Sequence, residues 1–259
     1  MHIRKMSKLS KVLFLFSHHD DEFGVFFLIE DFIFQGLEVH IVYLTSSHID
    51  GLPCSRREKE SIKVLKSLGV YEKNIHYIGK NNKVKDLKLH LYMDLLFKEM
   101  LKLFKNNKIE KIIVHCWEGG HPDHDTSHIL GVYLAKKLNI LKDLYQFPLY
   151  SGRGLIWSFF RLFDTFPLNG TVYEYKIPLI KRIRYLGLVL HFKSQIKTFI
   201  GLYPVYLYHM LIYGKQYVQN VSATNLSSRP HKGPLLYERR KMGNYDFIRE
   251  KYCEFINKF

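Results

Sequence analysis

Two polar clusters, each at the end of a short apolar run, hold the residue types best suited to chemistry. The first is the run Ser-His-His-Asp-Asp-Glu at 17–22, which follows an apolar stretch at 12–16. The second spans 115–125 and follows an apolar stretch at 112–114. Zinc in hydrolytic sites is commonly held by three His or carboxylate ligands, which leave a position for water. The two clusters therefore predict one metal-centred catalytic site.

The ligand set that these clusters favour is His18, Asp21 and His124. It combines two imidazoles with one carboxylate and draws them from two strand ends. Two other histidines stay open as ligands at this point. His19 lies between the first two candidates, and His128 has the i, i+4 spacing of a helical metal pair with His124.

Three further cluster residues are suited to act beside the metal. Asp20 adjoins a ligand without being one, so we expect it to accept the proton of the attacking water. His121, one helical turn before His124, is expected to stabilise a developing oxyanion. Asp123 is expected to fix the tautomer of one of the histidines.

An alternation of strands and helices must position these clusters. Apolar runs predict strands at 11–16, 38–44, 74–78 and 109–114, and helical patterns predict helices at 23–35, 56–68, 86–104 and 127–138. This order is typical of an α/β fold with a Rossmann-like, doubly wound, mostly parallel sheet. Such sheets bind ligands at the carboxyl ends of their strands, where both clusters fall.

The pattern becomes less regular after residue 141. Strands are predicted at 145–150, 172–177 and 216–223, and helices at 178–197 and 244–259. The almost uncharged stretch 199–214 is shorter than the ~18 to 20 residues of a membrane span. It predicts a buried or oligomer-facing helix pair, with a membrane-surface patch as the alternative. We expect a single domain over 1–259, with the Rossmann-like core at about 8–150 and a C-terminal α+β elaboration at about 151–259.

Composition sets wider bounds. The chain has 259 residues, 47% of them hydrophobic, and a net charge of +15, which fits a folded protein with anionic partners or simple compositional drift. Three scattered cysteines without a CxxC pair argue against a disulfide framework or a thiolate zinc site. The short apolar run after the basic start ends in acids, so we expect an uncleaved N-terminus and a cytoplasmic protein.

The two clusters resemble the signatures of a known family. Ser-His-His-Asp-Asp-Glu is similar to the Ala-His-Pro-Asp-Asp-Glu motif of the LmbE/PIG-L zinc-dependent deacetylases, and Glu-Gly-Gly-His-Pro-Asp-His at 118–124 is similar to their second motif. The resemblance continues through Arg57-x-x-Glu60 and, more weakly, through Lys181 and His191-x-x-Ser194-Gln195. It covers roughly residues 11–200.

The resemblance implies a Rossmann-like fold and the removal of an N-acetyl group from an amino sugar with one zinc per chain. It implies zinc ligation by His18, Asp21 and His124, and so decides against His128. It further assigns Asp20 as general base and His121 as the oxyanion-stabilising histidine.

The resemblance also implies which residues bind substrate. It assigns Arg57 as a substrate contact and extends this expectation to His191 of the late motif. His19 stands where the family has proline, which adds a competing ligand or a substrate contact at this position.

Charge near the clusters suggests what the sugar is attached to. Arg56, Arg57 and the later cations Lys181, Arg182, Arg184 and Lys193 are expected to form a cationic rim beside the site. Arginine forks suit phosphate and carboxylate oxygens, so one interpretation is that the substrate is an anionic conjugate of the N-acetyl sugar. The alternative is that these cations lie on solvated helix faces and have no role in binding. Two alternatives remain: a metal-dependent phosphohydrolase with two metals, and a basic protein that binds nucleic acid or a membrane surface. Nucleic acid is not an expected partner, and a homo-oligomer stays open.

Overall fold

The computed structural model describes residues 10–46, 54–166, 169–221, 226 and 228–259. The expectation about the N-terminus lies outside the described residues, as does most of the polar loop between the second strand and the helix that begins at Cys54. Strands are present at Lys11–Phe16 (β1), Glu38–Tyr43 (β2), Ile75–His76 (β3), Ile109–His115 (β4), Leu144–Phe147 (β5), Tyr150–Ser151 (β6), Arg161–Leu162 (β7), Val172–Lys176 (β8) and Lys215–Asn220 (β9).

One mixed sheet organises the chain. Its strand order is β3-β2-β1-β4-β5-β9-β8, and the first five of these strands pair in parallel. Strand β9 adds in antiparallel orientation beside β5 and pairs with β8, so the C-terminal part of the chain extends the same sheet. The short strands β6 and β7 form a separate antiparallel ladder.

Helices cover both faces of the sheet. They are Phe26–Phe34 (α1), Cys54–Ser67 (α2), Ile78–Asn81 (α3), Met93–Phe104 (α4), Pro122–Lys137 (α5), Leu179–Val189 (α6), Ile196–Ile212 (α7), Leu236–Arg239 (α8) and Tyr245–Ile256 (α9). Short 3-10 helices at Asp21–Val25, Leu89–Leu91 and Lys193–Gln195 join some of them. The predicted mostly parallel α/β fold with a C-terminal elaboration is confirmed.

The central strand β1 shows why two layers form. Its side chains alternate, so Phe14 packs with α1, α2, α6 and α7 on one face, whereas Leu13 packs with α4, α5 and α9 on the other. Strand β1 has β2 on one side and β4 on the other, and the chain reverses its direction across the sheet between β1 and β4. The carboxyl ends of these two strands form the topological switch point, where ligands of such folds bind.

Three predicted helices are wrong in part. The helix predicted over 127–138 begins already at Pro122, where the His121 side chain caps it by accepting the amide of Asp123. The helix predicted over 86–104 begins only at Met93, because the amide groups of Leu87 and Leu89 donate to the buried carboxylate of Asp123. Leu87 also has a φ of 66°, which a helix excludes. The helix predicted over 178–197 ends at Val189, and a new helix begins at Ile196.

The stretch 199–214 forms most of one helix, α7, not a helix pair. Within the described residues, none of the helices combines the length and the apolar character needed to cross a membrane.

Candidate active site

The carboxyl ends of β1 and β4 border a cavity of about 330 Å³. His18, Asp20 and Asp21 line it from the segment after β1, and His121 lines it from the start of α5. The C-terminal elaboration closes the cavity with Gln195, Thr198, Leu202, Arg240 and Met242. The two polar clusters therefore meet in space, about a hundred residues apart in sequence.

Two overlapping triplets could hold a metal ion, and each has at least one member that lines the cavity. One is His18, His121 and His124, and the other is Asp21, His115 and His124, with the ligand atoms of each triplet within 4.8 Å of one another. Both triplets contain His124, so they describe one site with a choice of ligands. His124 is fully buried; its Nδ1 atom has no hydrogen-bond partner, and its Nε2 atom lies 3.2 Å from Asp21 Oδ1. Buried polar atoms are rarely left without a partner, so this ring is suited to bind a cation.

Asp123 fixes the orientation of the His18 ring. Its Oδ2 atom lies 3.0 Å from Nε2 of His18 and also accepts the amide of Leu87 at 2.7 Å. A neutral His18 ring that donates to Asp123 carries its proton on Nε2. Its Nδ1 atom then keeps its lone pair and lies 3.6 Å from Asp21 Oδ2. Burial alone would lower the pKa of His18, but Asp86, Asp21 and the bond to Asp123 raise that pKa well above its ordinary value. The local field therefore attracts positive charge.

His121 caps helix α5 and thereby acquires a defined tautomer. Its Nδ1 atom accepts the backbone amide of Asp123 at 3.1 Å, one of the amides that a helix leaves unpaired at its start. Burial and the neighbouring His18 hold the pKa of His121 well below its usual value, so the ring is neutral. A neutral ring that accepts at Nδ1 carries its proton on Nε2, which leaves an N–H donor. This argues for a donor role and against metal ligation by His121.

Asp20 is held in an uncommon backbone conformation. Its φ is 122°, a region that side-chain-bearing residues rarely adopt, and its amide donates to Glu22 Oε2 at 3.0 Å. Arg57 donates to Asp20 Oδ1 at 3.3 Å and to the carbonyl of His19 at 3.0 Å. Burial raises the pKa of Asp20 to about 8 against the opposing charge of Arg57. Backbone strain and an arginine thus place this carboxyl group beside the cluster.

The Glu118-Gly119-Gly120 turn between β4 and α5 is shaped by close backbone approach. A Cβ atom on Gly120 would lie 2.0 Å from the carbonyl oxygen of Tyr150, and Gly119 has a φ of 68°. The buried Glu118 accepts the amides of Leu149 and Tyr150 at 2.9 and 3.0 Å. Only glycine fits this approach, which explains the two consecutive glycines before His121.

Two residues predicted to bind substrate do not reach the cavity. The His19 ring stacks on Tyr43, with centroids 4.1 Å apart, and is 1% exposed. This stacking turns it away from the neighbouring side chains that line the cavity, which corrects the predicted contact. His191 lines a different cavity and contacts the carbonyl of Gly187 through its own Nδ1 at 3.2 Å. Of the late motif, Gln195 is the member that lines the site.

The predicted cationic rim is also wrong for its later members. Lys181 and Arg184 pair with Glu30, and Arg182 donates to the backbone carbonyl of Ile177 at 2.6 Å. Lys193 lines the same separate cavity as His191, and so does Arg56, the first member of the predicted rim. Arg57 does line the site, where Asp20 and Asp86 neutralise it.

Sequence reasoning missed three residues of the site. His115 stacks on His124 with centroids 3.9 Å apart and places Nε2 at 3.0 Å from Asp21 Oδ2. Its position as the last residue of β4 was the available signal. Asp86 and Arg240 line the cavity from segments without any motif, so no local signal could have identified them.

Comparison with known proteins agrees with this geometry. The family model described as PIG-L, GlcNAc-PI de-N-acetylase, matches residues 13–134, which contain both clusters. This part of the chain is similar to the PIG-L family. A probable N-acetylglucosaminyl-phosphatidylinositol de-N-acetylase of Dictyostelium discoideum is 30% identical over 118 residues, which are 44% of this chain and 45% of that protein. The chain thus matches less than half of the length of this PIG-L-type relative.

Solved structures extend the likeness to the C-terminal elaboration. Teicoplanin deacetylase Orf2 in its zinc-inhibited form has a TM-score of 0.62 at 12% identity. The match covers 83% of this chain and 99% of the Orf2 chain. The A40926 pseudoaglycone deacetylase Dbv21 has a TM-score of 0.59 at 15% identity, with coverage of 82% and 98%. An N,N'-diacetylchitobiose deacetylase from Pyrococcus horikoshii has a TM-score of 0.55 at 16% identity, with coverage of 82% and 82%. At such identities the likeness shows a shared fold beyond the PIG-L region.

Proposed function

We propose that this protein is a zinc-dependent hydrolase that removes an N-acetyl group from an amino sugar carried on a conjugate. The observation that carries the proposal is one cavity that brings together a metal-suited His/Asp cluster, a carboxyl group and a neutral histidine donor. The PIG-L match over 13–134 and the N-acetyl-sugar substrates named for similar proteins support this reaction class.

His18, Asp21 and His124 are the residues that would hold the zinc. The approach of His124 Nε2 to Asp21 Oδ1 at 3.2 Å and the field that raises the pKa of His18 both fit a bound cation. His and carboxylate ligands with an open position are the donor set of catalytic zinc. When bound, zinc supplies Lewis acidity that activates water near neutral pH and polarises a carbonyl group.

Two side chains of the protein then have separate roles: one transfers the proton, and the other stabilises the developing negative charge. Asp20 in its ionised form accepts the proton of the attacking water and, after attack, returns it to the departing amine. Nε2–H of His121 donates to the oxygen that develops negative charge, since its tautomer is fixed by the helix cap. Acetate and a free amino sugar result.

An anionic conjugate of the N-acetyl sugar remains the proposed substrate. The cation proposed to bind its charged group is Arg240 and not one of the later cations that the sequence suggested. Arg240 lines the cavity and is exposed, and no ion pair engages it within the described part of the chain. Its guanidinium group donates to the carbonyl of Ser158 and lies over the Phe160 ring, which orients it beside the cavity. Such a group can receive a phosphate or carboxylate of the conjugate.

The test is a screen of N-acetylated sugar conjugates for released acetate, with zinc-loaded and chelator-treated protein compared. We expect acetate and one new primary amine per turnover from the zinc-loaded protein, and no release after chelation. Phosphate release with two metals per chain would instead favour the phosphohydrolase alternative. The two metal-suited triplets share His124, which argues for one metal.

A further inference from the structure

Helices α6 and α7 carry an unusual share of exposed apolar side chains. Half of the large hydrophobic residues that are exposed among the described residues lie between 179 and 213. Helix α7 runs back along α6, since Arg182 near the start of α6 donates to the carbonyl of Met210 near the end of α7. Folded monomers rarely expose large apolar patches without a partner.

Helix α7 separates into two apolar faces. Its inner face is buried in the core through Phe199, Leu202, Tyr206, His209 and Met210. Its outer face is a solvent-exposed stripe at spacings of three and four residues, formed by Ile196, Ile200, Pro204, Tyr208 and Leu211. Ile200 is 71% exposed and Ile196 is 61% exposed. The inner face suffices to anchor the helix, so the outer stripe has no role in the fold.

A cationic groove adjoins this stripe. An apolar cavity of about 320 Å³ between Leu190, Ile196 and Ile200 opens beside a cavity of about 560 Å³ that is lined by Lys59, Lys63 and Lys193. Leu190 and Lys193 line both cavities. Among the described residues, none forms an ion pair with Lys59, Lys63 or Lys193.

We propose that the outer stripe of α7, together with this lysine groove, is a docking surface for an anionic phospholipid bilayer. Helices that lie in a membrane interface combine an apolar face with flanking cations, and each cation near an anionic surface adds to the attraction. A second copy of the chain is a poorer occupant, because a two-fold contact across this face would bring unpaired lysines near one another. An anionic bilayer would bury the apolar stripe and attract the lysines at the same time.

Docking would bring the candidate active site close to the membrane. Thr198 and Leu202, each two residues from Ile200 and therefore on the other side of the same helix, line the active-site cavity. The cavity thus lies one helix diameter, ~10 Å, behind the proposed surface. The surface itself is independent of the proposed reaction, because binding is measured without turnover.

The test is co-sedimentation of the full chain with vesicles of phosphatidylcholine alone and of phosphatidylcholine mixed with phosphatidylglycerol. We expect binding to the mixed vesicles, with at least ~10-fold weaker partitioning for the Ile200→Glu, Leu211→Glu double variant. The Lys59→Gln, Lys63→Gln double variant should lose the preference for anionic vesicles while keeping residual binding. Both pairs are exposed, so folding should be preserved, as circular dichroism would verify.

The matched control is Leu95→Glu on α4, an exposed apolar residue that lies on the opposite face of the sheet. It should bind as the unaltered protein does. Binding that Ile200→Glu with Leu211→Glu leaves unchanged would overturn the proposal, as would no binding to either vesicle. A dimer in light scattering that the same variant dissociates, without vesicle binding, would assign the stripe to a second copy and overturn it as well.

Discussion

At the scale of single residues, His124 is the most informative position. It is fully buried, its Nε2 atom lies 3.2 Å from Asp21 Oδ1, and it belongs to both metal-suited triplets. We expect His124→Ala to lose most bound zinc and activity, because two remaining ligands hold zinc weakly. The control is His128→Gln, one helical turn further along α5. The native His128 ring contacts the carbonyl of His115 and does not line the cavity. Metal analysis showing zinc retained in His124→Ala and lost in the control would exchange their roles.

Asp20 and His121 should separate catalysis from metal binding. We expect Asp20→Asn to keep about one zinc per chain while turnover falls by ~10² to 10⁴, the usual cost of a lost general base. His121→Ala should also keep its metal and lose ~10² or more in kcat through lost oxyanion stabilisation. Metal content and kcat measured on the same preparations decide the point. If Asp20→Asn loses its zinc, Asp20 is a ligand and the assignment of Asp21 fails.

Arg240 tests the charge of the substrate. For a phosphate-bearing N-acetyl sugar we expect Arg240→Gln to lower kcat/KM by ~10-fold, and to leave a neutral N-acetyl sugar almost unchanged, because a charged hydrogen bond contributes about 1.5–3 kcal/mol. The preference should shrink as salt is raised. Lys102→Gln on α4 removes the same charge far from the cavity and serves as control. Equal effects of the two variants would show that net charge, not a contact, sets the rate.

At the scale of elements, the turn between β4 and α5 depends on a buried glutamate. Burial raises the pKa of Glu118 from 4.5 to about 8, against the two backbone amides that it accepts. Since the folded state then binds the proton more tightly, this contribution to stability is complete below pH 4.5 and is lost as pH rises towards about 8. It follows that the free energy of unfolding should fall over this window because of Glu118.

Glu118→Gln keeps an acceptor for both amides and removes the titration. We therefore expect its free energy of unfolding to decline less between these pH values, by roughly 1–4 kcal/mol relative to the unaltered chain. Urea unfolding across a pH series measures the difference. Glu99→Gln on the exposed face of α4 is the control. Parallel curves for the unaltered chain and Glu118→Gln would contradict a raised pKa at this position.

At the scale of the whole molecule, the C-terminal elaboration is bound into the core. Gln216 on β9 accepts the amides of Phe27 and Leu28 at 3.2 and 3.4 Å, and so caps helix α1 from a distant part of the chain. Gln216→Ala leaves the buried amide of Leu28 and the partly buried amide of Phe27 unpaired, and we expect it to lower the free energy of unfolding by about 1–3 kcal/mol. Because we propose a single domain over 1–259, the whole transition should shift without splitting.

Unfolding followed by far-ultraviolet circular dichroism and by tryptophan fluorescence tests this cooperativity. Gln35→Ala removes an exposed glutamine at the end of α1. It should leave the free energy of unfolding within about 0.5 kcal/mol of that of the unaltered chain. Two separate transitions, of which Gln216→Ala shifts one, would show that the elaboration unfolds as an independent unit.

The sequence alone determined the fold class and the positions of both chemical clusters. Apolar runs at 11–16 and 109–114 are local signals, and the adjacency of parallel strand ends follows from the β-α-β order. His18 and His124 both lie next to Asp21, at 3.6 and 3.2 Å. The metal-suited triplets divide these three residues differently, so the predicted zinc ligand set stays a prediction. The same local logic gave most helices to within a few residues.

Tertiary structure decided what depends on contacts between distant segments. The Asp123 carboxylate binds the amides of Leu87 and Leu89 and so prevents a helix that local periodicity favours. Adjacent residues at a strand end diverge, so His19 packs on tyrosine rings whereas His18 enters the cavity. Arg240 joins the site from the C-terminal segment, whose path is set by core packing and not by any pattern near position 240. A local sequence pattern indicates which side chains are suited to chemistry. Only the packing of distant segments determines which of these side chains lie in the same cavity.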